Sequence, residues 1–362
     1  MYKSFRVKNF RCFKDLQIND LGRVNLIAGK NNTGKTALME AMYLFTKPLT
    51  PQVLFHLNHV RGLDVPNDNL PSYWQQFFFR MDSSKCITIA ADNTRRASGT
   101  RLSIKEREFT KDVLDLLMVQ FTRQSRAVPM GEILSAIANT DLLLELSYTW
   151  DQAPDTYKII FSPMLLSESA KELEEKSQFV PTRWHPNSSA TASLFSELEI
   201  EGQTSRLPDA LKIFESDLTD LNLLSTYGQI TIWARVGRIS LPLNLMGEGI
   251  NKFLHNMMTM LSGLDYIFID EIENGIHHSV QCKVWKAIGK LARDLDIQVF
   301  ATTHSYEMIR AAYEAFSEDD KLDEFRYHRL SRSRKSGELR ATTYNELDME
   351  AVAAFDFDHE VR

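Results

Sequence analysis

The stretch "GKNNTGKT", Gly29 to Thr36, constrains this chain more than any other feature. It satisfies G-x-x-x-x-G-K-[ST], follows the apolar run "VNLIA", and precedes a segment in which Ala37, Leu38, Ala41, Met42 and Phe45 recur at helical spacing. A strand, a glycine-bent loop and a helix in that order make a phosphate cradle. Gly29 and Gly34 let the loop bend so that successive backbone N–H groups face phosphate oxygens, and the helix N-terminus adds its positive end. Lys35 is placed to reach β- and γ-phosphates, and the Thr36 hydroxyl to bind Mg²⁺. The candidate nucleotide-binding set is Gly29, Lys30, Asn31, Asn32, Thr33, Gly34, Lys35, Thr36 and Ala37, with ATP and Mg²⁺ as the expected ligands.

Two later stretches fit the same chemistry. "YIFIDE", Tyr266 to Glu271, is four apolar residues followed by two acids, the pattern of a buried strand whose carboxyl end emerges beside the phosphates. Asp270 is then the expected Mg²⁺ holder and Glu271 the general base or orienter of the attacking water. A solvated surface turn would carry the same two acids, but beside a phosphate loop the catalytic reading prevails. "VFATTHS" is an apolar run ending in Thr302, Thr303, His304 and Ser305. Ligands collect at the carboxyl ends of parallel strands, so His304 is placed to contact the γ-phosphate; a helix-capping neighbour is the plainer alternative.

The rest of the chain arranges itself around these pieces. Residues 1–28 read as strands: "KSFRVKNF" and "FKDLQI" alternate, and "VNLIAG" is a short apolar run. From Gly228 onward, "QITIWARVGRISLPL" reads as a hairpin, followed by helix "GINKFLHNMMTML", strand "LDYIFID", helix "HHSVQCKVWKAIGKLARDL", strand "IQVFATT" and helix "SYEMIRAAYEAF". That alternation predicts an α/β fold with a mostly parallel sheet covered by helices. The last stretch, "EFRYHRLSRSRKSGELRATTYNEL", reads as a hairpin turning at Ser336-Gly337, then a short helix. The expected division is a head made of residues 1–45 and 229–362, with residues 46–228 as an inserted, mainly helical lobe. In that lobe "KCITIAA" reads as a strand, "LLLELSYTW" and "DTYKIIFS" as a hairpin, and "KEREFTKDVLDLLMVQF", "SAKELEEKSQF" and "LPDALKIFESDLTDLNLL" as helical.

Composition excludes several classes. The apolar runs fall short of the roughly 18 residues that span a bilayer, and the first residues lack a signal-peptide apolar block, so a cytoplasmic protein with no membrane partner is expected. Cys12, Cys86 and Cys282 form none of the paired spacings that bind zinc or an iron–sulfur cluster. A formal net charge of −6 means that any nucleic-acid contact needs a local basic patch. "RYHRLSRSRKSGELR" supplies one, with Arg326, Arg329, Arg332, Arg334, Lys335 and Arg340; a charged edge strand that blocks aggregation is the alternative.

Together, "FRVKNFRCFKDLQI", "NLIAGKNNTGKTALMEAM", "LMGEGINKFL", "YIFIDEIENGIHHS" and "ATTHS" resemble an ABC-class P-loop ATPase of the branch shared by SMC and RecF proteins. More closely they resemble the AAA ATPase domain of overcoming-lysogenization-defect (OLD) proteins and relatives in bacterial anti-phage systems. The resemblance covers roughly residues 1–45 and 240–310. It implies an ABC-type P-loop NTPase fold with an antiparallel N-terminal β subdomain, ATP hydrolysis, and a homodimer or higher homo-oligomer closed through the ATP sites. It assigns Gly247, Glu248 and Gly249 to a signature segment that meets the γ-phosphate held by another subunit. It assigns Glu273 to His278 to the dimer interface, and His304 to a switch histidine. It also calls for a Mg²⁺-sensing glutamine, for which Gln75 and Gln76 in "SYWQQFFFR" are weak matches.

Two departures qualify the resemblance. Gly247 stands where ABC transporters carry a serine. OLD proteins also continue into a Toprim nuclease domain, whereas the residues after Ser305 are too few for a typical domain. Asp356 and Asp358 in "FDFDHE" have Asp-x-Asp spacing but read as a solvated tail. The expected role is therefore a sensor or scaffold that passes its nucleotide state to a separately encoded nuclease or toxin. A RecF- or SMC-like protein that closes on DNA is the alternative.

Overall fold

The computed structural model describes residues 1–63, 70–94, 99–107, 110–113, 143–151, 156–161, 173–182, 188–226 and 228–344. The chain divides into two compact units. One comprises Met1–Asp20, Thr36–Glu175 and Ser331–Ala341; the other comprises Leu21–Lys35, Lys176–Leu330 and Thr342–Arg362.

The first unit is built on an antiparallel sheet. Its strands are β1 (Tyr2–Phe10), β2 (Phe13–Asn19), β4 (Ile87–Asn93), β5 (Thr100–Arg107), β6 (Leu143–Thr149) and β7 (Tyr157–Phe161), in the order β2-β1-β4-β5-β6-β7. The alternation in β1 buries Phe5 and Val7 on one side, as period-2 patterning requires, and Asn9, with φ of 53°, interrupts that period before buried Phe10. β6 and β7 form the expected hairpin, with Tyr148 opposite Tyr157. Helix α1 (Lys35–Thr46) is held within this unit by wholly buried Glu40, which pairs with Arg11 at 2.9 Å and with Arg61 at 2.6 Å. Removing either arginine would leave a buried carboxylate under-compensated, a change that costs several kcal/mol in buried pairs. Helices α2 (Gln52–Val60) and α3 (Leu70–Gln75) also belong to this unit.

The second unit carries the predicted mostly parallel sheet. Its order is β15-β14-β3-β13-β12-β8, from β3 (Val24–Ala28), β8 (Ser177–Val180), β12 (Tyr266–Ile269), β13 (Gln298–Thr303), β14 (Phe325–Arg332) and β15 (Leu339–Tyr344). Every pairing from β14 through β8 is parallel. β3, β12 and β13 are buried along their whole length, which is why they read as continuous apolar runs. Helix α4 (Ser188–Ile200), the short α5 (Leu207–Leu211), α6 (Glu248–Leu261), α7 (His278–Asp294) and α8 (Tyr306–Glu318) share one apolar core with the sheet, including Phe253, Met258, Trp285, Ile288 and Ala312. A separate antiparallel sheet, β11-β10-β9, comprises β9 (Leu218–Thr226), β10 (Gln229–Val236) and β11 (Ile239–Pro242).

Two segments expected to be helical carry a strand over part of their length. "SAKELEEKSQF" ends in strand β8, and residues 162–172 lie outside the described set. "LPDALKIFESDLTDLNLL" is helical only over α5; its second half is β9. In the first, charged neighbours mask a four-residue strand whose partner β12 is far away in sequence; in the second, β9 pairs with the adjacent β10 as a hairpin. "KEREFTKDVLDLLMVQF", also expected to be helical, begins instead in strand β5, and most of its remainder lies outside the described residues, as do the short helix expected after β15 and Asp356 with Asp358.

Candidate functional site

The phosphate loop leaves β3 at Gly29. A Cβ there would lie 2.5 Å from the Leu330 carbonyl oxygen and 2.6 Å from Thr33 Oγ1, so close backbone approach demands glycine at this position. Gly34 has φ of 88° and Asn32 of 63°, the left-handed turns that curl the loop. Thr33 closes the curl, its Oγ1 donating to Lys30 O at 2.7 Å. Lys30, Asn31 and Asn32 are exposed at the rim; Lys35 is buried beneath it, its Nζ donating to Gly29 O at 2.7 Å and Lys30 O at 3.3 Å. Burial lowers the Lys35 pKa, and Asp270, Glu271 and Glu273 oppose that shift. A partly desolvated ammonium among the loop's carbonyls is a strong attractor for polyphosphate. Thr36 and Ala37 follow in the first turn of α1.

Asp270 and Glu271 follow β12, as the sequence implies. What the sequence does not reveal is how they are held. Wholly buried Thr302, the fifth residue of β13, donates from Oγ1 to Asp270 Oδ1 at 2.5 Å and accepts the Glu271 backbone N–H at 2.8 Å. Thr182, just beyond β8, donates to Asp270 Oδ2 at 2.9 Å. Both carboxylate oxygens are thus oriented by hydroxyls from the two strands flanking β12. Glu271 has φ of 49°, a strained conformation for a non-glycine residue that persists only where the surroundings impose it. Thr302 fixes its amide, while Asn274 donates its backbone N–H to Glu271 O at 3.1 Å and Nδ2 to Oε2 at 2.9 Å.

His304 stands beyond β13. Its backbone N–H and its Nδ1 both meet Glu273 Oε1, at 2.7 and 2.9 Å. Glu273 Oε2 is buried with no hydrogen-bond partner among the described residues. Glu273 therefore sets the ring's orientation and leaves Nε2 as the nitrogen free to face a ligand. Thr182 and Thr302 are supporting residues to which the sequence assigned no role, and Glu273 and Asn274, expected only as part of the dimer-interface segment, support the site within one chain. The Asp-Glu-x-Glu spacing and the threonine two residues before the histidine are the signals that could have suggested Glu273 and Thr302.

The signature segment brings a correction. The resemblance assigns Gly249, with Gly247 and Glu248, to contact with the γ-phosphate of another subunit. In the fold, a Cβ on Gly249 would lie 2.0 Å from the Gly275 carbonyl oxygen, so its smallness serves packing of α6 on the loop after β12. Gly247 differs: the space around it is open, and its φ of 102° and ψ of 159° fall in a region that essentially only glycine occupies. As N-cap of α6, Gly247 has no side chain to cap the helix, Glu248 is exposed and pairs with Lys252 at 2.8 Å, and neighbouring Leu245 is 74% exposed. Gln75 and Gln76 are partly buried in the first unit, Gln75 as the last residue of α3.

Oxygen donors dominate the site, and two of its hydroxyls pin Asp270. This fits a hard cation such as Mg²⁺, which takes one or two protein ligands and the remainder from phosphates and water.

Known proteins place this arrangement. The chain is 24% identical over 356 residues to an ATP/GTP phosphatase of Helicobacter pylori, covering 88% of this chain and 90% of that one. A stretch of 44 residues, 12% of each chain, is 43% identical to the DNA replication and repair protein RecF of Clostridioides difficile. In fold the chain is similar to an SMC head bound to the C-terminal winged-helix domain of ScpA, with a TM-score of 0.51, 9% identity and coverage of 96% and 98%. It is similar to the SMC head of Pyrococcus furiosus bound to the ScpA C-terminal domain, again with a TM-score of 0.51 and 9% identity, over 97% and 98% of the two chains. The profile of the AAA ATPase domain family matches residues 1–113 and 130–309. With its phosphate loop, paired acids and SMC-head type of α/β P-loop fold, the chain belongs to the AAA ATPase domain family and is an ATPase.

Proposed function

We propose that this ATPase works as a homodimer in which each Mg²⁺–ATP is held by the Gly29–Thr36 loop of one copy and covered by the Gly247–Gly249 segment of the other. The observation that carries this reading is the start of α6. Its N-cap is Gly247, which contributes no capping side chain and has open space around it, and exposed Leu245 lies alongside. An uncapped helix N-terminus is a ready anion site, and a γ-phosphate presented by a second copy satisfies it.

Within one copy, Lys35 and the loop amides bind and orient the triphosphate. Thr36 and Asp270 would hold Mg²⁺, which when bound would supply charge neutralisation to the triphosphate. Glu271 accepts the proton of the attacking water, and His304, turned by Glu273, presents Nε2 to the γ-phosphate. The resemblance of the motifs to OLD-type ATPase domains supports a role as sensor or scaffold for a separately encoded nuclease or toxin in anti-phage defence. Glu271→Gln keeps the side chain's shape and removes its basicity. We expect hydrolysis to fall by about 10²-fold or more while ATP binding persists and a closed dimer accumulates, read by light scattering with ATP. Normal turnover in that variant would remove Glu271 from the role of base.

A second reading is a RecF- or SMC-like protein gated by ATP on DNA. It draws on the RecF-like stretch and on Arg334, Lys335 and Arg340, which are exposed at and after the β14–β15 turn. A titration with duplex DNA across salt concentrations, with and without ATP, separates the two: phosphate contacts give a steep salt slope, and no binding at low salt excludes it.

A further inference from the structure

Away from the nucleotide site, the second unit holds a cleft of about 710 Å³ lined by α5, α6 and α7. Its floor is apolar, with Leu207, Met257, Leu261 and Leu291. Its rim carries Arg206, Lys283 and Lys290, all exposed and with no ion pair among the described residues. Most other charges of the lining are answered locally. Asp209 pairs with Lys212 at 2.7 Å, Lys286 with Glu318 at 2.6 Å, and Asp319 lies 3.8 Å from both Lys286 and Arg293. Asp294 alone offsets the three rim cations, so the cleft is positive in a chain of net charge −6. Such a lining fits an apolar segment studded with carboxylates.

The chain contains one. Residues 346–360 read "ELDMEAVAAFDFDHE", with six acids, no lysine or arginine, and Leu347, Met349, Val352, Phe355 and Phe357 among them. The topology ends β15 at the same end of the sheet as the cleft. β14 runs parallel to β3, and β15 returns beside it after the Ser333–Glu338 turn. Tyr344, the last residue of β15, therefore lies at the start of the parallel strands, its ring 5.0 Å from that of Tyr327. α6 and α7 finish at that same end, where they lead into β12 and β13, and Leu261, Lys290 and Leu291 of the cleft stand on their last turns. Crossing from β15 to β12 takes four strand spacings, about 19 Å in all, which an extended chain covers in roughly six residues.

We propose that Glu346 to Glu360 dock in this cleft, with Phe355 and Phe357 on the apolar floor and the acids against Arg206, Lys283 and Lys290. The seat lies at the opposite end of α6 from Gly247, so the docked segment and the signature segment share one helix.

The test uses the full chain and a carbodiimide, which joins only amines and carboxylates already in contact. The expected result is cross-links from Lys283 and Lys290 to Asp356, Asp358 or Glu360, found by mass spectrometry. In an equal mixture of ¹⁴N- and ¹⁵N-labelled protein they join residues of like label. Phe355→Ser with Phe357→Ser should lower their yield at least fivefold while ATPase activity stays unchanged. Links made equally to Lys30 or Lys335, links only between differently labelled chains, or an undiminished yield in the double variant would each overturn the proposal.

Discussion

Thr302 hydrogen-bonds to Asp270 across the sheet, from β13 to the end of β12, at 2.5 Å. The same oxygen receives the Glu271 amide, so one buried hydroxyl orients both acids. Thr302→Val preserves shape and removes both bonds. We expect kcat to fall by about 10- to 100-fold, as for other residues that orient a metal-binding carboxylate, and stability to drop by about 1–3 kcal/mol from the buried amide left unpaired. Steady-state kinetics and thermal melts read the two effects separately, and unchanged kcat would deny Thr302 this part.

Gly249 and Leu245 separate packing from assembly. Gly249→Ala puts a methyl group 2.0 Å from Gly275 O, so the expected outcome is a large loss of stability in the monomer itself, above about 3 kcal/mol by chemical denaturation. A change at Gly249 is therefore a poor probe of the second subunit. Leu245→Arg alters an exposed side chain, and we expect a normal melting temperature with loss of ATP-dependent dimerisation. Dimerisation that survives this change would argue against an interface at Gly247.

Lys35 predicts opposite effects with and without nucleotide. Burial holds its pKa below the ordinary 10.5, so between the folded and unfolded values the unfolded chain binds more protons and stability rises with pH. Lys35→Met removes that dependence. Its nucleotide-free form should melt no lower than the parent at neutral pH, and ATP should no longer raise the melting temperature. Stabilisation of the variant by ATP would show that the ammonium is not the phosphate anchor.

Glu273→Ala frees the His304 ring. ATP binding should persist, kcat should fall by about tenfold or more, and Glu273→Gln, which keeps an oxygen acceptor for Nδ1, should recover part of it. Equal loss in both variants would count against an orienting bond.

His255 on α6 makes stability acid-sensitive. Burial pushes its pKa down to about 3, so the folded state resists the proton that the unfolded state accepts near 6.5. Stability should therefore decline as pH falls from about 6.5 towards 3. Denaturant titrations of His255→Leu across that window should give a flatter slope; an unchanged slope would assign the acid lability to other groups.

Read alone, the sequence determined the chemistry that depends on local spacing: the phosphate loop between strand and helix, the two acids after an apolar strand, the histidine after another, and the α/β alternation that makes a parallel sheet. These survive translation into structure because each motif is carried by one turn of backbone. Tertiary structure alone decided what holds them. Thr302 and Thr182 reach Asp270 from strands distant in sequence, β8 hides in a charged stretch because four residues show too little period, and Gly249 answers to Gly275 across a loop. Such contacts depend on which strands become neighbours, and hydrogen bonds and close backbone approach between distant segments leave no periodic trace in a single chain.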